Sequence, residues 1–168
     1  TSGGTEYVKN NDVRRIACKM GMVFQQFNLF PHMTVLENLI EAPVNVQKRD
    51  KAEVIKEAEV LLAKVGLSEK RDVYPRKLSG GQQQRIAIAR AIVNDPVFVI
   101  ADEPTGNLDP ETSWDIMEIF KEINAEGTTI VMATHDKEIV DAMGKRVIAI
   151  EDGKIVRDEA SGVYGYEL

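Results

Sequence analysis

Cysteine is almost absent from these 168 residues: Cys18 stands alone, so no disulfide can form within the chain, which suits a reducing compartment. The longest unbroken apolar run, residues 97–101, is far shorter than the ~20 residues of a membrane-spanning helix. Lys and Arg total 21 against 27 acidic residues, and this net charge of −6 disfavours nonspecific nucleic-acid binding. No charged-then-apolar leader opens the sequence. We therefore expect a soluble cytosolic protein.

What is present is a core: 43% of the residues are hydrophobic and 29% are charged, a balance typical of one packed domain. Short apolar runs predict buried strands at residues 19–24, 97–101 and 128–133, the second buried on both faces. Helical periodicity separates these strands, and the predicted helices begin at Thr34, Asp50, Ser79, Asp109 and Asp136. The alternation predicts an α/β fold with a largely parallel sheet.

Two local features refine this prediction. Pro43 is expected to limit the helix that begins at Thr34, because proline lacks a backbone N–H. The Asp152-Gly153 pair between two apolar runs predicts a two-residue hairpin. The segment from about residue 28 to residue 74 is helical and interrupts the alternation, so we expect it to form part of a subdomain.

Two acidic residues, Asp102 and Glu103, follow the apolar run at 97–101. Ligands of open α/β sheets bind beyond the carboxyl ends of the strands. One carboxylate there could hold Mg²⁺ while its neighbour polarises an attacking water. The alternative is that the two acids simply begin a solvated loop.

The run Leu78-Ser79-Gly80-Gly81-Gln82 combines a hydroxyl, two glycines and a predicted helix start. Glycine allows close approach of a ligand to the backbone, and a helix N-terminus favours phosphate. The alternative is an ordinary capping box, which the Ser79 and Gln82 pair satisfies by itself.

Two further polar residues follow predicted strands. His135 comes soon after the run at 128–133 and could hydrogen-bond a terminal phosphate, although a packing or capping role is the simpler alternative. Gln25 ends the first strand and could coordinate Mg²⁺ or position a water. His32 is interpreted as a structural or surface residue.

The order of these features resembles the nucleotide-binding subunit of ABC transporters. The matching segments are the Q-loop at residues 23–25, the LSGGQ signature at 78–82, the Walker B strand at 99–103, the D-loop at 106–109 and the switch histidine at 134–136. The resemblance covers nearly all of the chain. It implies a P-loop NTPase-like ABC ATPase core with a mostly parallel sheet and a helical subdomain.

In this family two subunits meet head to tail around two ATP molecules, so the resemblance implies ATP and Mg²⁺ as ligands. Glu103 would be the general base or water-orienting group. His135 would contact the γ-phosphate, and Asp102 with Gln25 would serve the metal. These four side chains would act in their own subunit.

The partner subunit would complete each site with its signature. Ser79, Gly80, Gly81 and Gln82 would face the nucleotide across the interface, and Asp109 would link the two sites. Closure on ATP and opening after hydrolysis would move a membrane partner, a transmembrane permease or an FtsX-type protein. The resemblance thus implies a location at the inner face of the membrane through that partner, and no nucleic-acid ligand.

The family's Walker A motif, Gly-x-x-x-x-Gly-Lys-Ser/Thr, does not occur in the sequence. Gly144-Lys145 is followed by Arg146, and Gly153-Lys154 by Ile155. The resemblance therefore implies one truncated ATPase domain over residues 1–168, with a core at 12–27 and 95–168 and a helical signature subdomain at about 28–94. Without the motif we expect weak ATP binding, negligible hydrolysis, an unpaired sheet edge and exposed core surface.

Within the family the resemblance is mixed. Residues 22–46 are similar to importers of polar amino acids, whereas residues 102–109 and 150–159 look more like the cell-division ATPase FtsE. In the family the stretch after the Q-loop faces the membrane partner, so amino acid import is the preferred interpretation. FtsE-like action and a catalytically silent interaction module are the alternatives.

Overall fold

The computed structural model of the chain describes Val13 and residues 16–165. The chain divides into two compact units, Thr1–Ala133 and Thr134–Leu168.

The first unit contains a three-stranded parallel sheet in the order β1-β2-β3. Its strands are β1 (Met20–Phe24), β2 (Phe98–Asp102) and β3 (Thr129–Ala133). Asp102 pairs with Phe24 on one side and with Ala133 on the other, so all three carboxyl ends lie at one edge of the sheet. The predicted parallel α/β architecture is confirmed.

Only one face of this sheet is buried within the described residues. Val23, Val99 and Ala101 are fully buried, and a Cβ added to Gly21 would lie 2.5 Å from the backbone oxygen of Ala91, so a helix packs against this face. The prediction that the second strand is buried on both faces is wrong, because its residues alternate between buried and half-exposed positions. An apolar run reports composition and does not show whether a second layer covers the strand.

The opposite face carries apolar side chains that are partly accessible to solvent. Met20 and Met22 are each 37% exposed, and Val131 is 54% exposed. The third strand is therefore not buried either, contrary to the sequence prediction. The expectation of exposed core surface agrees with these three side chains.

Only helices lie between β1 and β2. They are α1 (Val35–Glu41), a π-helical turn (Ala42–Val46), α2 (Lys51–Lys64), two 3₁₀ turns (Ser68–Lys70 and Pro75–Lys77) and α3 (Gly80–Ile92). The helical character of this segment is as predicted, and its status as a separate subdomain stays a prediction. As predicted, the α-helix that follows Thr34 is short and ends at Glu41, just before Pro43. The chain continues as a π-helical turn with Pro43 in its first turn, where a missing N–H is tolerated.

Side-chain caps fix the helix starts where the sequence predicts them. Thr34 and Ser79 each form a complete capping box, with Glu37 and Gln82 respectively. Asp50 caps α2, and Asp109 caps α4 (Pro110–Ala125). Within the first unit α3 packs against β1, and α4 packs against β3 and α3.

The second unit contains a short helix and a hairpin. They are α5 (Lys137–Met143), capped by Asp136, and the antiparallel pair β4 (Val147–Glu151) and β5 (Lys154–Glu159). Asp152 and Gly153 both have positive φ, 48° and 73°, as a type I′ turn requires. The predicted hairpin is confirmed.

Candidate functional site

The carboxyl edge of the three-stranded sheet brings together two of the predicted site segments. Asp102 is the last residue of β2 and is exposed, and Gln25 follows the last residue of the neighbouring β1. Because Phe24 pairs directly with Asp102, the two polar residues stand on adjacent strands at the same edge. This is the placement that the sequence predicts for them.

Gln25 lies against the turn that follows β2. Its Nε2 is 3.5 Å from Oδ1 of Asn107, and Nδ2 of Asn107 donates to the backbone oxygen of Gln25 at 3.0 Å. A Cβ added to Gly106 would lie 2.7 Å from Nε2 of Gln25, so the end of the Gln25 side chain lies against this turn. The Q-loop segment and the D-loop segment are thus in direct contact within one chain.

Glu103 has a left-handed backbone conformation, with φ of 46°, which is uncommon for a residue other than glycine. Its N–H donates to the backbone oxygen of Ala133 at 2.9 Å, and its own carbonyl accepts from the N–H of Gly106 at 3.1 Å. Strained backbone of this kind concentrates at functional sites. The turn after β2 therefore begins, with an uncommon backbone conformation, at the residue that is predicted to be catalytic.

The oxygen atoms at this edge fit a magnesium ion better than a softer metal. Mg²⁺ is held in proteins by one or two carboxylates together with water and phosphate oxygens. Asp102 offers a carboxylate, and Gln25, whose amide nitrogen faces Asn107, offers an amide oxygen. No cluster of three His, Cys, Asp or Glu side chains that could hold a metal occurs among residues 13 and 16–165. A metal here would thus need phosphate or water ligands as well.

The signature segment forms the start of α3. Ser79 is exposed and caps the helix: its Oγ accepts from the N–H of Gln82 at 3.2 Å, and Oε1 of Gln82 accepts from the N–H of Ser79 at 3.1 Å. The capping role raised as an alternative is therefore present. It does not exclude a ligand, because other N–H groups of the first turn lack helical partners.

The two glycines of the signature have different surroundings. A Cβ at Gly80 would meet only Leu108 at 3.5 Å and Phe27 at 3.7 Å, which are ordinary contacts. A Cβ at Gly81 would lie 2.4 Å from Cγ2 of Thr112 in the first turn of α4. Gly81 is thus required by helix packing, whereas packing leaves room for a side chain at Gly80.

Asp109 caps α4 with both carboxylate oxygens. Oδ2 accepts from the hydroxyl of Thr112 at 2.6 Å, and Oδ1 accepts from the N–H of Thr112 at 2.9 Å. The side-chain hydrogen bond and then the backbone one hold the pKa of Asp109 below its ordinary value. Within its own chain, Asp109 therefore serves as the N-cap of α4.

His135 belongs to the second unit, between β3 and α5. The N–H of the next residue, Asp136, donates to the hydroxyl of Thr134 at 3.1 Å, so a local hydrogen bond shapes this segment. Its role toward a phosphate stays a prediction.

Sequence reasoning missed two residues that support this edge. Arg90 in α3 donates to the backbone oxygens of Asn28 at 2.7 Å and Phe27 at 3.1 Å, and its guanidinium lies 5.7 Å from the centre of the Phe30 ring. Burial lowers the pKa of this guanidinium. Gln84, the second missed residue, is fully buried. Helical periodicity could have found Gln84, because it lies on the helix face of Gly81 and Ile88.

None of the helices in the described part of the chain is long and apolar enough to cross a membrane.

Comparison with known proteins identifies relatives of two kinds. The family model described as ABC transporter matches residues 2–106. The cell division ATP-binding protein FtsE of Bacillus subtilis is 53% identical over 158 residues, which cover 94% of this chain and 69% of that protein. The L-cystine import ATP-binding protein TcyC of the same organism is 50% identical over 149 residues, covering 89% of this chain and 60% of that protein.

Solved structures give the same result. A dimeric, post-hydrolysis state of the ATP-binding cassette MJ0796 bound to ADP and Pi matches with a TM-score of 0.78 and 39% identity, over 94% of this chain and 69% of that one. CbiO1 from Clostridium perfringens, part of the cbiONQ transporter complex, matches with a TM-score of 0.83 and 31% identity, over 91% of this chain and 61% of that one. The fold, the motifs and these similarities together show that the chain belongs to the ABC transporter family, as an ATP-binding subunit.

Proposed function

We propose that this chain contributes to two composite ATP sites formed by a head-to-tail pair of subunits, and that ATP turnover there moves a membrane partner. The observation that carries the proposal is the contact between the segments after β1 and β2, which brings Gln25 beside the turn that begins at Glu103. The proposal is also supported by the dimeric cassette with ADP and Pi, whose fold this chain shares.

Within one subunit, Asp102 would hold Mg²⁺ and Gln25 would complete the metal's shell or orient a water. Glu103 is the proposed general base or water-orienting group, because it follows the metal-binding strand directly. A carboxylate next to a bound metal can polarise a water for attack on phosphorus. His135 would contact the γ-phosphate.

The other subunit would supply the signature. Ser79 is exposed at the start of α3, where the first-turn N–H groups and the positive end of the helix dipole suit a phosphate. Of the two glycines, Gly80 is the better candidate for close approach of a nucleotide, since packing against Thr112 already accounts for Gly81. Gln82 would bind the nucleotide through its side-chain nitrogen, because its side-chain oxygen accepts a hydrogen bond in the helix cap. Asp109 would act between the two sites.

The test uses the product of the whole reading frame that contains these residues. Glu103→Gln is expected to keep ATP binding and to lower turnover by about two orders of magnitude or more, the range of a lost acid–base group. Glu111→Gln, in the exposed first turn of α4, is the matched control and should keep normal turnover. Unchanged hydrolysis in the Glu103 variant would remove this residue from the proposed role.

A second pair of variants tests the interface. Ser79→Arg places a large cation at the start of α3 and should abolish ATP-dependent dimerisation, which light scattering or size-exclusion chromatography can follow. Ser68→Arg, at an exposed 3₁₀ turn, adds the same side chain away from the signature and should leave dimerisation intact. Dimerisation that survives Ser79→Arg would exclude the head-to-tail arrangement.

The 168 residues by themselves should bind Mg·ATP weakly and hydrolyse it negligibly. In P-loop ATPases the Walker A backbone and lysine form most of the phosphate cradle, and these residues contain no such motif. Isothermal titration of this chain with Mg·ATP is expected to show no saturation at micromolar ligand, and saturation there would contradict the expectation. The DNA upstream of Thr1 should be translated in the same frame to look for the motif.

For the membrane partner, we propose a permease that imports a polar amino acid. Relatives of both kinds match most of this chain, and their identities differ by only three percentage points, 53% and 50%, so overall identity does not separate them. The family resemblance assigns partner contact to the stretch after the Q-loop, which is the importer-like part of the sequence. Arg90 and the buried Asn38 hold the backbone of this stretch, while Phe30, Pro31 and His32 remain exposed.

The second candidate is an FtsE-like function in cell division. It is favoured by the 53% identity to FtsE over 94% of the chain and by the FtsE-like segments at residues 102–109 and 150–159. Co-purification from the native cell separates the two candidates. Capture of an importer's membrane subunit supports transport, whereas capture of an FtsX-type protein supports the division role.

A further inference from the structure

Gln84 is the most deeply buried polar side chain of α3, with no exposed surface. Its Nε2 donates to the backbone oxygen of Pro104 and lies 3.5 Å from the backbone oxygen of Phe24. Pro104 follows Glu103, and Phe24 precedes Gln25. One amide group therefore joins the signature helix to both segments that carry the proposed metal and catalytic residues.

The side-chain amide of Gln84 lowers the stability of the fold at its buried position. Oε1 of Gln84 is buried and has no hydrogen-bond partner within the described part of the chain. A buried polar atom without a partner destabilises the fold, and an aliphatic side chain of similar size would fill this volume without that cost. Packing of α3 alone does not account for an amide at this position, whereas the two carbonyl contacts of Nε2 do.

The carbonyl of Pro104 belongs to the turn from Glu103 to Gly106, against which the Gln25 side chain lies. The N–H of Gly106 donates to the carbonyl of Glu103 across this turn, and Nε2 of Gln25 lies 2.7 Å from the position that a Cβ on Gly106 would take. A displacement of Pro104 must therefore move Gly106, and with it the surface on which the Gln25 side chain lies. Side chains in such a packed arrangement shift together because the interior leaves little free volume.

We infer that Gln84 is a positioning residue: it fixes the segments after β1 and β2 relative to the signature helix, and so sets the orientation of Gln25 and Glu103. The inference rests on the proposed function of these two residues.

The test uses the ¹⁵N-labelled product of the whole reading frame without nucleotide and follows the Gly106 N–H and the side-chain amides of Gln25 and Asn107 by NMR. Gln84→Met keeps the size of the side chain and removes the donor. It should shift all three resonances and speed hydrogen exchange at Gly106 by about tenfold, the effect of one lost hydrogen bond. The matched control is Gln83→Met, because Gln83 lies on the same helix and donates instead to the backbone oxygen of Leu78.

A second variant separates positioning from packing. Gln84→Glu has the shape of glutamine, but its carboxylate cannot donate, whereas the protonated acid donates one hydrogen bond. The Gly106 and Gln25 resonances should then titrate with a carboxyl group whose pKa is raised by burial, and Gln83→Glu should cause no such titration.

Two results would overturn the inference. One is a folded Gln84→Met or Gln84→Glu chain whose Gly106 and Gln25 resonances stay where the Gln83 variants leave them. The other is failure of both Gln84 variants to fold while the controls fold, because the amide would then serve the fold itself. Neither readout involves ATP. The positioning role of Gln84 can therefore fail while ATP binding is observed, and it can hold while the proposed ATP site fails.

Discussion

The substitution Gly81→Ala tests the packing of the signature helix against α4. In an unobstructed helix alanine is more stable than glycine by up to about 1 kcal/mol. At Gly81 the new Cβ would lie 2.4 Å from Cγ2 of Thr112. Thr112 cannot rotate freely, because it is β-branched and its hydroxyl is bound to Asp109 at 2.6 Å.

The clash should therefore outweigh the helix propensity. Overpacking of this kind costs about 1–3 kcal/mol, so Gly81→Ala should lower the free energy of unfolding by about 1–2 kcal/mol. Gly80→Ala is the control, since its nearest contact is Leu108 at 3.5 Å, and it should be neutral or slightly stabilising. Urea unfolding followed by the fluorescence of Trp114, the single tryptophan, measures both changes.

The clash can also be relieved directly. Thr112→Ser removes Cγ2 and keeps the hydroxyl that bonds Asp109. In the Gly81→Ala background it should restore most of the lost stability, which a double-mutant cycle would record as a coupling energy of about 1 kcal/mol or more. A Gly81→Ala chain as stable as the parent, or a cycle without coupling, would refute the reasoning.

Three further predictions concern the supports of the site. Hydrogen bonds lower the folded-state pKa of Asp109, so its stabilising effect is present above the ordinary pKa of 3.8 and is lost as the pH falls through the folded-state pKa. Asp109→Asn should therefore lose less stability on acidification than the parent in urea titrations, and an unchanged dependence of stability on pH would contradict this. Asn38→Ala should lower the free energy of unfolding by about 2–3 kcal/mol, because the buried amide that bonds the backbone of residues 30–34 is lost. Asn45→Ala on the surface should lower it by less than about 0.5 kcal/mol, and equal urea midpoints for the two variants would be contrary evidence. Arg90→Lys keeps the charge but not the fork of donors, so hydrogen exchange and proteolysis at residues 27–28 should increase, and unchanged rates would count against the role of Arg90.

Local signals in the sequence were sufficient for the helix starts and the hairpin. A cap such as Ser79 acts on N–H groups within three residues, and the Asp152-Gly153 turn needs only its own two backbone conformations. Such features do not depend on distant parts of the chain. This is why the starts of α1 to α4 and the β4–β5 turn could be predicted.

Burial of the sheet could not be predicted in the same way. The apolar runs of β1, β2 and β3 look alike in sequence, yet one face is buried and the other leaves Met20, Met22 and Val131 accessible. Which face is covered depends on the helices that pack there, and this is tertiary information. Periodicity within five-residue strands does not contain it.

The candidate site shows the same limit at the level of single residues. Gly80 and Gly81 are the same letter in one motif, but only Gly81 is forced to be glycine by α4. Gln82, Gln83 and Gln84 are likewise identical in type. The first takes part in the helix cap, the second donates to Leu78, and the third is buried against the end of β1 and the turn after β2. The motif in the sequence identifies the segment, but the role of each residue within it depends on contacts between secondary-structure elements.

Asp109 is connected to the signature helix through Thr112. Both of its carboxylate oxygens accept hydrogen bonds from Thr112, so a contact with a second subunit must use the remaining lone pairs or replace part of the cap. Because the Thr112 methyl group also lies against Gly81, a movement of Asp109 that rotates Thr112 will change this contact with the start of the signature helix. A link between two nucleotide sites that uses Asp109 would then pass through Thr112, and the coupling measured between Gly81→Ala and Thr112→Ser would test whether the Thr112 methyl group leaves no room for a Cβ at residue 81.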